Sequence, residues 1–277
     1  MRRRGILPLP LRIGNMTPRY SITTDLVDQH SDQTREFAAF AAAGFTHVHW
    51  CQHWAGEPVF YDQDFIDGVR ALADRHGLQI ADIHGYSGVL GKRLRYTDEL
   101  FLAVNLNRID FAAAVGAQAL VLHLPLRKFD VEAAAVEHSV AMVRALLPAA
   151  RAAGVRPAIE NLGQERSFLR SVLEAFAPED VGFCYDSGHA NFTGQADLVR
   201  LWAPRLICTH LHDNDGKTDQ HRLPGEGTAD WPMIVRALRD GGYQGTWNLE
   251  LFAKKEMTLE EFCTVAFATV QGLGTRA

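Results

Sequence analysis

Gly182-Phe-Cys-Tyr-Asp-Ser-Gly-His-Ala-Asn191 is a short apolar run that stops on a carboxylate, Asp186, with an imidazole, His189, three residues later in the turn. A buried strand ending in this way sets an oxygen donor beside a nitrogen donor, and that pair suits Zn²⁺, Mn²⁺ or a similar ion. The same residues also suit an Asp that caps the next helix and a His on the surface. Its neighbours decide what the stretch means.

The arrangement recurs along the chain. Leu206-Ile-Cys-Thr-His-Leu-His-Asp-Asn-Asp215 puts His210 and His212 on one face of a strand and Leu211 on the other. Asp219-Gln-His221 and the glycine-rich Leu223-Pro-Gly-Glu-Gly227 follow. Pro157-Ala-Ile-Glu-Asn161 and Trp247-Asn-Leu-Glu-Leu251 place Glu160 and Glu250 at the ends of apolar runs. A carboxylate there is costly to bury unless it is paired or bound to metal, and a salt bridge to Arg166 or Lys254 is the plainer alternative. His84 ends Gln79-Ile-Ala-Asp-Ile-His, and His123 ends Ala119-Leu-Val-Leu-His.

These runs read as buried parallel strands at Leu11–Gly14, Thr46–Cys51, Leu78–His84, Ala117–Leu124, Arg156–Asn161, Val181–Asp186, Leu206–Asp213 and Thr246–Phe252. Amphipathic helical patterns separate them: Asp32–Ala43, Asp62–His76, Thr97–Val115, Val131–Ala153, Ser167–Phe176, Trp231–Asp240 and Leu259–Leu273. Gly44, Gly77, Gly116, Gly154 and Gly241 stand where helix C-termini want glycine. Eight strands alternating with helices predict an α/β fold, a (β/α)₈ TIM barrel. A doubly wound open sheet would suit the same rhythm. However, His84, His123, Glu160, Asp186, His210 and Glu250 end six different strands, and only a barrel gathers those ends around one mouth. No linker or low-complexity tract divides the chain, so residues 1–277 read as one domain, with 1–10 as an N-terminal extension.

Composition is that of an ordinary soluble protein, 47% hydrophobic and 22% charged. The net charge of −5 weighs against nucleic acid as a partner without excluding it. Cys51, Cys184, Cys208 and Cys263 form no CxxC pair and read as reduced, mostly buried thiols of a cytoplasmic protein. The Arg-headed N-terminus is too short and Pro-broken in its apolar part for a signal peptide, and no run is long enough to span a membrane.

Glu160-Asn161, Asp186-x-x-His189, His210-x-x-Asp213-Asn214, Pro224-Gly-Glu-Gly227 and Glu250, in this order, resemble the xylose-isomerase-like TIM-barrel superfamily over roughly residues 11 to 270. That group contains sugar and sugar-phosphate isomerases and epimerases, related dehydratases and the endonuclease IV class. In the isomerase and epimerase branch, the resemblance implies one divalent metal held by Glu160, Asp186, His210 and Glu250. The two glutamates would also be the catalytic acid/base pair. In the endonuclease IV branch it implies a trinuclear zinc cluster that adds His84, His123, His189, Asp219 and His221. All nine positions carry suitable ligand types here.

Two reactions therefore compete. In the first, an enzyme of carbohydrate metabolism takes a proton from the carbon beside a carbonyl, with a metal-stabilised enediolate, and returns it; a dehydratase shares that first step. In the second, clustered metals activate water on a phosphodiester. A repair enzyme also needs basic, wedge-forming loops. His53-Trp-Ala-Gly-Glu-Pro-Val-Phe-Tyr61 has aromatics but no positive charge, whereas Ser87–Arg95 holds three basic residues that suit a sugar phosphate equally. The acidic charge weighs toward a small polyhydroxylated carbonyl substrate, with His212, Trp50, Arg222 and Lys254 as its candidate contacts. Pairing through outer helices into a homo-oligomer is common among such barrels.

Overall fold

Apolar strand residues such as Val48, Leu120, Leu122, Ile159, Phe183 and Leu249 alternate along the strands and join the core against the covering helices. The computed structural model describes residues 18–26, 32–51, 60–86, 89–90, 93–94, 96–124 and 131–275. Eight strands close a barrel: β1 (Arg19–Thr23), β2 (His47–Trp50), β3 (Gln79–His84), β4 (Ala119–Leu122), β5 (Arg156–Glu160), β6 (Gly182–Asp186), β7 (Leu206–Leu211) and β8 (Thr246–Leu249). Each pairs in parallel with its sequence neighbours, and β8 returns to β1. Parallel neighbours require a crossover, supplied by α1 (Gln33–Ala43), α2 (Gln63–His76), α3 (Asp98–Val115), α4 (Glu132–Ala153), α5 (Arg166–Glu174), the short α6 (Ser187–Phe192) and α7 (Leu198–Leu201), and α8 (Trp231–Asp240). Helix α9 (Leu259–Thr275) packs against α1 and closes the outer ring. No helix among the described residues is long and apolar enough to cross a membrane.

Local chemistry sets the element ends. Asp32, Asp62 and Thr97 cap α1, α2 and α3 by accepting amide hydrogen bonds in the first turn. Gly44, Gly77, Gly116 and Gly154 end their helices with positive φ, but Gly241 stays right-handed at φ −73° and the left-handed residue is Gly242.

The first strand departs from expectation. Leu11–Gly14 lies outside the described residues, as do residues 1–10, and β1 is Arg19-Tyr-Ser-Ile-Thr23. Its inward side chains are small and polar, so it does not announce itself as an apolar run. The short α6 and α7 between β6 and β7 are absent from the helical patterns read along the chain, although α6 is the helix that the capping reading of Asp186 requires.

Two cores result. The large outer one packs helices on the barrel and includes Phe37, Phe40, Trp50, Phe101, Phe111 and Phe183. The barrel interior is unusual: a small apolar cluster of Ala119, Val121, Ala158, Cys184 and Cys208 sits beside the buried polar residues Ser21, His49, Asp82 and Asn248. Barrel interiors are ordinarily filled by Val, Ile and Leu. All four cysteines are buried and none is in a disulfide.

Candidate active site

Strand alternation decides which side chains reach the mouth. With Ala158, Cys184 and Cys208 turned into the barrel, Glu160, Asp186 and His210 two residues on point the same way, one layer nearer the carboxyl ends. Single ligating atoms of Glu160, Asp186, His210 and Glu250 all lie within 4.8 Å of one another. Salt bridges to Arg166 or Lys254 do not explain the two glutamates. Arg166 is bound to Asp197 at 2.5 Å and Lys254 to Glu226 at 2.5 Å, so the cations nearest in sequence are engaged elsewhere.

The other five expected ligands join this set. His123 Nε2 is 3.1 Å and His84 Nε2 is 3.6 Å from Glu160 Oε2. His189 Nδ1 is 3.2 Å from Glu160 Oε1, and its Nε2 is 3.3 Å from Asp219 Oδ2. His221 Nε2 is 3.1 Å from Asp219 Oδ2. Two tautomers are set by backbone: His84 Nδ1 donates to the Gly85 carbonyl at 2.9 Å and His221 Nδ1 to that of Glu250 at 3.0 Å. Each ring therefore keeps Nε2 for the mouth. Asp186 caps the helix that follows it. Its Oδ1 caps α6 by accepting from the His189 amide at 2.6 Å, and its Oδ2 lies 3.1 Å from His212 Nε2.

The supporting loop has its own organiser. Asp213, fully buried, accepts from the amides of Asn214, Gly225 and Ala229 and from the Trp231 indole at 2.8 Å. This holds the segment carrying Asp219 and His221 over the mouth. His221 adopts φ +46°, the one non-glycine residue with positive φ among those described, at a cost of order 1 kcal/mol. Gly188 makes room for His212, because a Cβ there would lie 1.9 Å from the imidazole.

Burial and charge act together on these groups. Burial pushes the Glu160 carboxyl up, but His210 and His123 more than offset it and hold it well below the usual carboxylate range. Glu250 is likewise held down, chiefly by His210. Burial opposes charge on His210, yet Glu250 and Glu160 raise it well above an ordinary imidazole. His221 is raised to about 9 against burial, by its hydrogen bond to Asp219 and the charge of Glu250. Desolvation wins at His123, which is lowered. Strong opposed shifts in one cleft mark a functional site.

The donors fit a cation. Both ring nitrogens of His210 are buried without a hydrogen bond of acceptable geometry, although Nδ1 lies 2.9 Å from Glu250 Oε2. His189 Nδ1 and His212 Nδ1 are in the same position. Four carboxylates facing such nitrogens have their charge compensated by protons or by a divalent ion. A cavity of about 90 Å³ opens onto the cluster, lined by His84, His123, Glu160, His189, Asp219, His221 and Glu250 among others. A larger groove of about 590 Å³ on the outer face of α4 gathers no comparable donor set.

Three of the expected substrate contacts stand elsewhere. Trp50 points out of the barrel, 1% exposed, with Nε1 donating to the Tyr61 hydroxyl at 3.1 Å and its ring against Phe37, Phe65 and Phe111. With His49 turned inward, its neighbour must face outward. Arg222 is exposed, bridges backbone to backbone with Asp213 and does not line the cavity; nor does Lys254. His212 is fully buried and stacks on His221, so it buttresses the mouth. Of the two loops weighed for nucleic acid, residues 53–59 and the side chains of residues 87–95 lie outside the described residues. Sequence reasoning took Cys51 only as a buried thiol and did not single out Asp82 or Asp25; His49 and Cys51 lie beside Glu250, with Asp82 on His49 and Asp25 on Cys51. The alternating His47-Val-His-Trp-Cys51 was the available signal.

The chain belongs to the xylose isomerase-like TIM-barrel family, whose model matches residues 37–264. An uncharacterised protein, y4fM, of Sinorhizobium fredii is 30% identical over 251 residues, covering 75% of this chain and 77% of the relative. Among solved structures, the fold is similar to that of the IolI protein with a bound zinc atom, at TM-score 0.72 and 16% identity, covering 93% of this chain and 98% of that one. It is also similar to a D-tagatose 3-epimerase-like protein, at TM-score 0.71 and 17% identity, covering 92% and 98%.

Proposed function

We propose that the chain is a divalent-metal-dependent isomerase or epimerase of a small polyhydroxylated carbonyl compound. One observation carries the reading: Glu160, Asp186, His210 and Glu250 bring ligating atoms within 4.8 Å of one another at the carboxyl ends of four strands. Family membership and the epimerase-like and zinc-bound structural neighbours support it.

A divalent ion held by these four residues would supply polarisation of a carbonyl oxygen. The protein's own groups do the rest. Glu250 is the more accessible glutamate, with 13% side-chain exposure against 1% for Glu160, so it meets the substrate first and takes the proton beside the carbonyl. Glu160 accepts from His123, and His189 Nδ1 stands 3.2 Å from its other oxygen, so both oxygens are held in place for returning a proton from the other side. Depressed values at both glutamates keep them ionised at neutral pH.

The test is exchange. The metal-loaded chain, incubated with a panel of ketoses and cyclic polyol ketones in D₂O, places deuterium on the carbon beside the carbonyl of its substrate. No exchange with any member would count against the reading.

A second reading has its own observation. Two further triads, His84–Glu160–His210 and His212–His221–Glu250, also bring ligating atoms within 4.8 Å, which suits a multi-metal phosphodiester hydrolase. Two or three ions per chain, with cleavage of a duplex carrying an abasic site, would favour it.

A further inference from the structure

Below and beside the mouth, β2 presents donors that neither reading uses. In His47-Val-His-Trp-Cys51, alternation turns His47, His49 and Cys51 to one face, the barrel interior. His49 is fully buried, and Asp82 of β3 engages its Nδ1. A register shift between Val48 and His49 sets these two residues side by side. A carboxylate behind Nδ1 keeps the N–H on that nitrogen and leaves Nε2 as a lone-pair donor, the arrangement found behind metal-ligating histidines. His49 Nε2 is shielded from solvent and has no hydrogen-bond partner among the described residues.

One ring nitrogen of His49, the thiol of Cys51 and a carboxylate oxygen of Glu250 lie within 4.8 Å of one another. Asp25, 5% exposed, has Oδ2 at 3.7 Å from Cys51 Sγ. Asp25 and Cys51 line the same cavity as the mouth cluster. Nitrogen, sulfur and carboxylate oxygen make up a three-donor set suited to zinc, which takes three protein ligands with an open fourth position, and the sulfur disfavours magnesium and manganese.

We propose that His49, Cys51 and Glu250 form an additional site for a thiophilic divalent cation such as Zn²⁺, with Asp25 behind the Cys51 thiol and Glu250 shared between this site and the Glu160–Asp186–His210 set. On binding, the Cys51 S–H gives its proton to solvent as the metal–sulfur bond forms, with no change of oxidation state. The proposal rests on the reading of Glu250 as a metal-facing carboxylate, and on no step of the reaction.

The experiment titrates the full metal-free chain with Co²⁺ and, separately, Cd²⁺, following thiolate-to-metal charge-transfer absorption and ions per chain. A sulfur band is expected, and Cys51→Ser is expected to remove it with one ion per chain while the remaining ion stays. Asp82→Asn, which keeps the thiol, is expected to weaken the band-forming ion by about 10- to 100-fold. Asp186→Asn is expected to lose the other ion and keep the band, which separates failure of this site from failure of the proposed active site. Ions bound without any sulfur band, or a band that survives in Cys51→Ser, would overturn the proposal.

Discussion

The imidazole of His212 lies flat on that of His221, with ring centroids 4.0 Å apart and planes within 4°. Phe252 covers the far face of His221 at 4.5 Å. The stack ties the end of β7 to the loop carrying Asp219, and it exists because Gly188 leaves His212 its space. Gly188→Ala drives a methyl group into the ring. The expected result is a stability loss of about 1–3 kcal/mol in denaturant melts and weaker metal binding. Wild-type values for both would show that the stack does not position the site.

Glu160 and Glu250 carry the proposed proton transfers. Glu160→Gln and Glu250→Gln are each expected to lower substrate deuterium exchange by about 10²- to 10⁴-fold while far-ultraviolet circular dichroism stays native. Full exchange in either single variant removes that residue from the acid/base pair.

The pH dependence has a definite sign at His221. Its folded value, about 9, lies above the ordinary 6.5, so its contribution to the metal-free fold is complete below about pH 6.5 and is lost as pH rises through about 9. Metal binding runs the other way, because a ligating imidazole must be neutral. Adding zinc to weakly buffered chain near pH 7 should therefore release protons, and affinity should rise with pH toward 9. A titration that releases no protons contradicts His221 as a ligand.

Trp50 is a packing residue. Trp50→Phe gives up volume and the hydrogen bond to Tyr61, so a loss of about 1–2 kcal/mol is expected with unchanged metal content. A change in substrate affinity at constant stability would return Trp50 to the site.

Much of this molecule is legible along the chain, for physical reasons. A carboxylate or imidazole ending an apolar run, as at Glu160 or His210, is expensive unless something binds it, so the barrel-rim pattern shows in one dimension. The first strand is not legible because Ser21 and Thr23 break its apolar character where they face a polar interior. Asp82 escaped notice because its partner, His49, is 33 residues away and is aligned with it only by a register shift between strands. Trp50 was expected to touch the substrate, whereas strand alternation turns it outward into the helix-facing core, where its indole donates to Tyr61.

The most direct test is the number of ions per chain after Zn²⁺ or Mn²⁺ loading and desalting, for the wild type and for His210→Ala. At least one tightly held ion is expected in the wild type, with the Glu160–Asp186–His210–Glu250 ion lost from a variant that remains folded. A folded wild type that retains no ion, or a His210→Ala variant that keeps the full complement, would contradict the site.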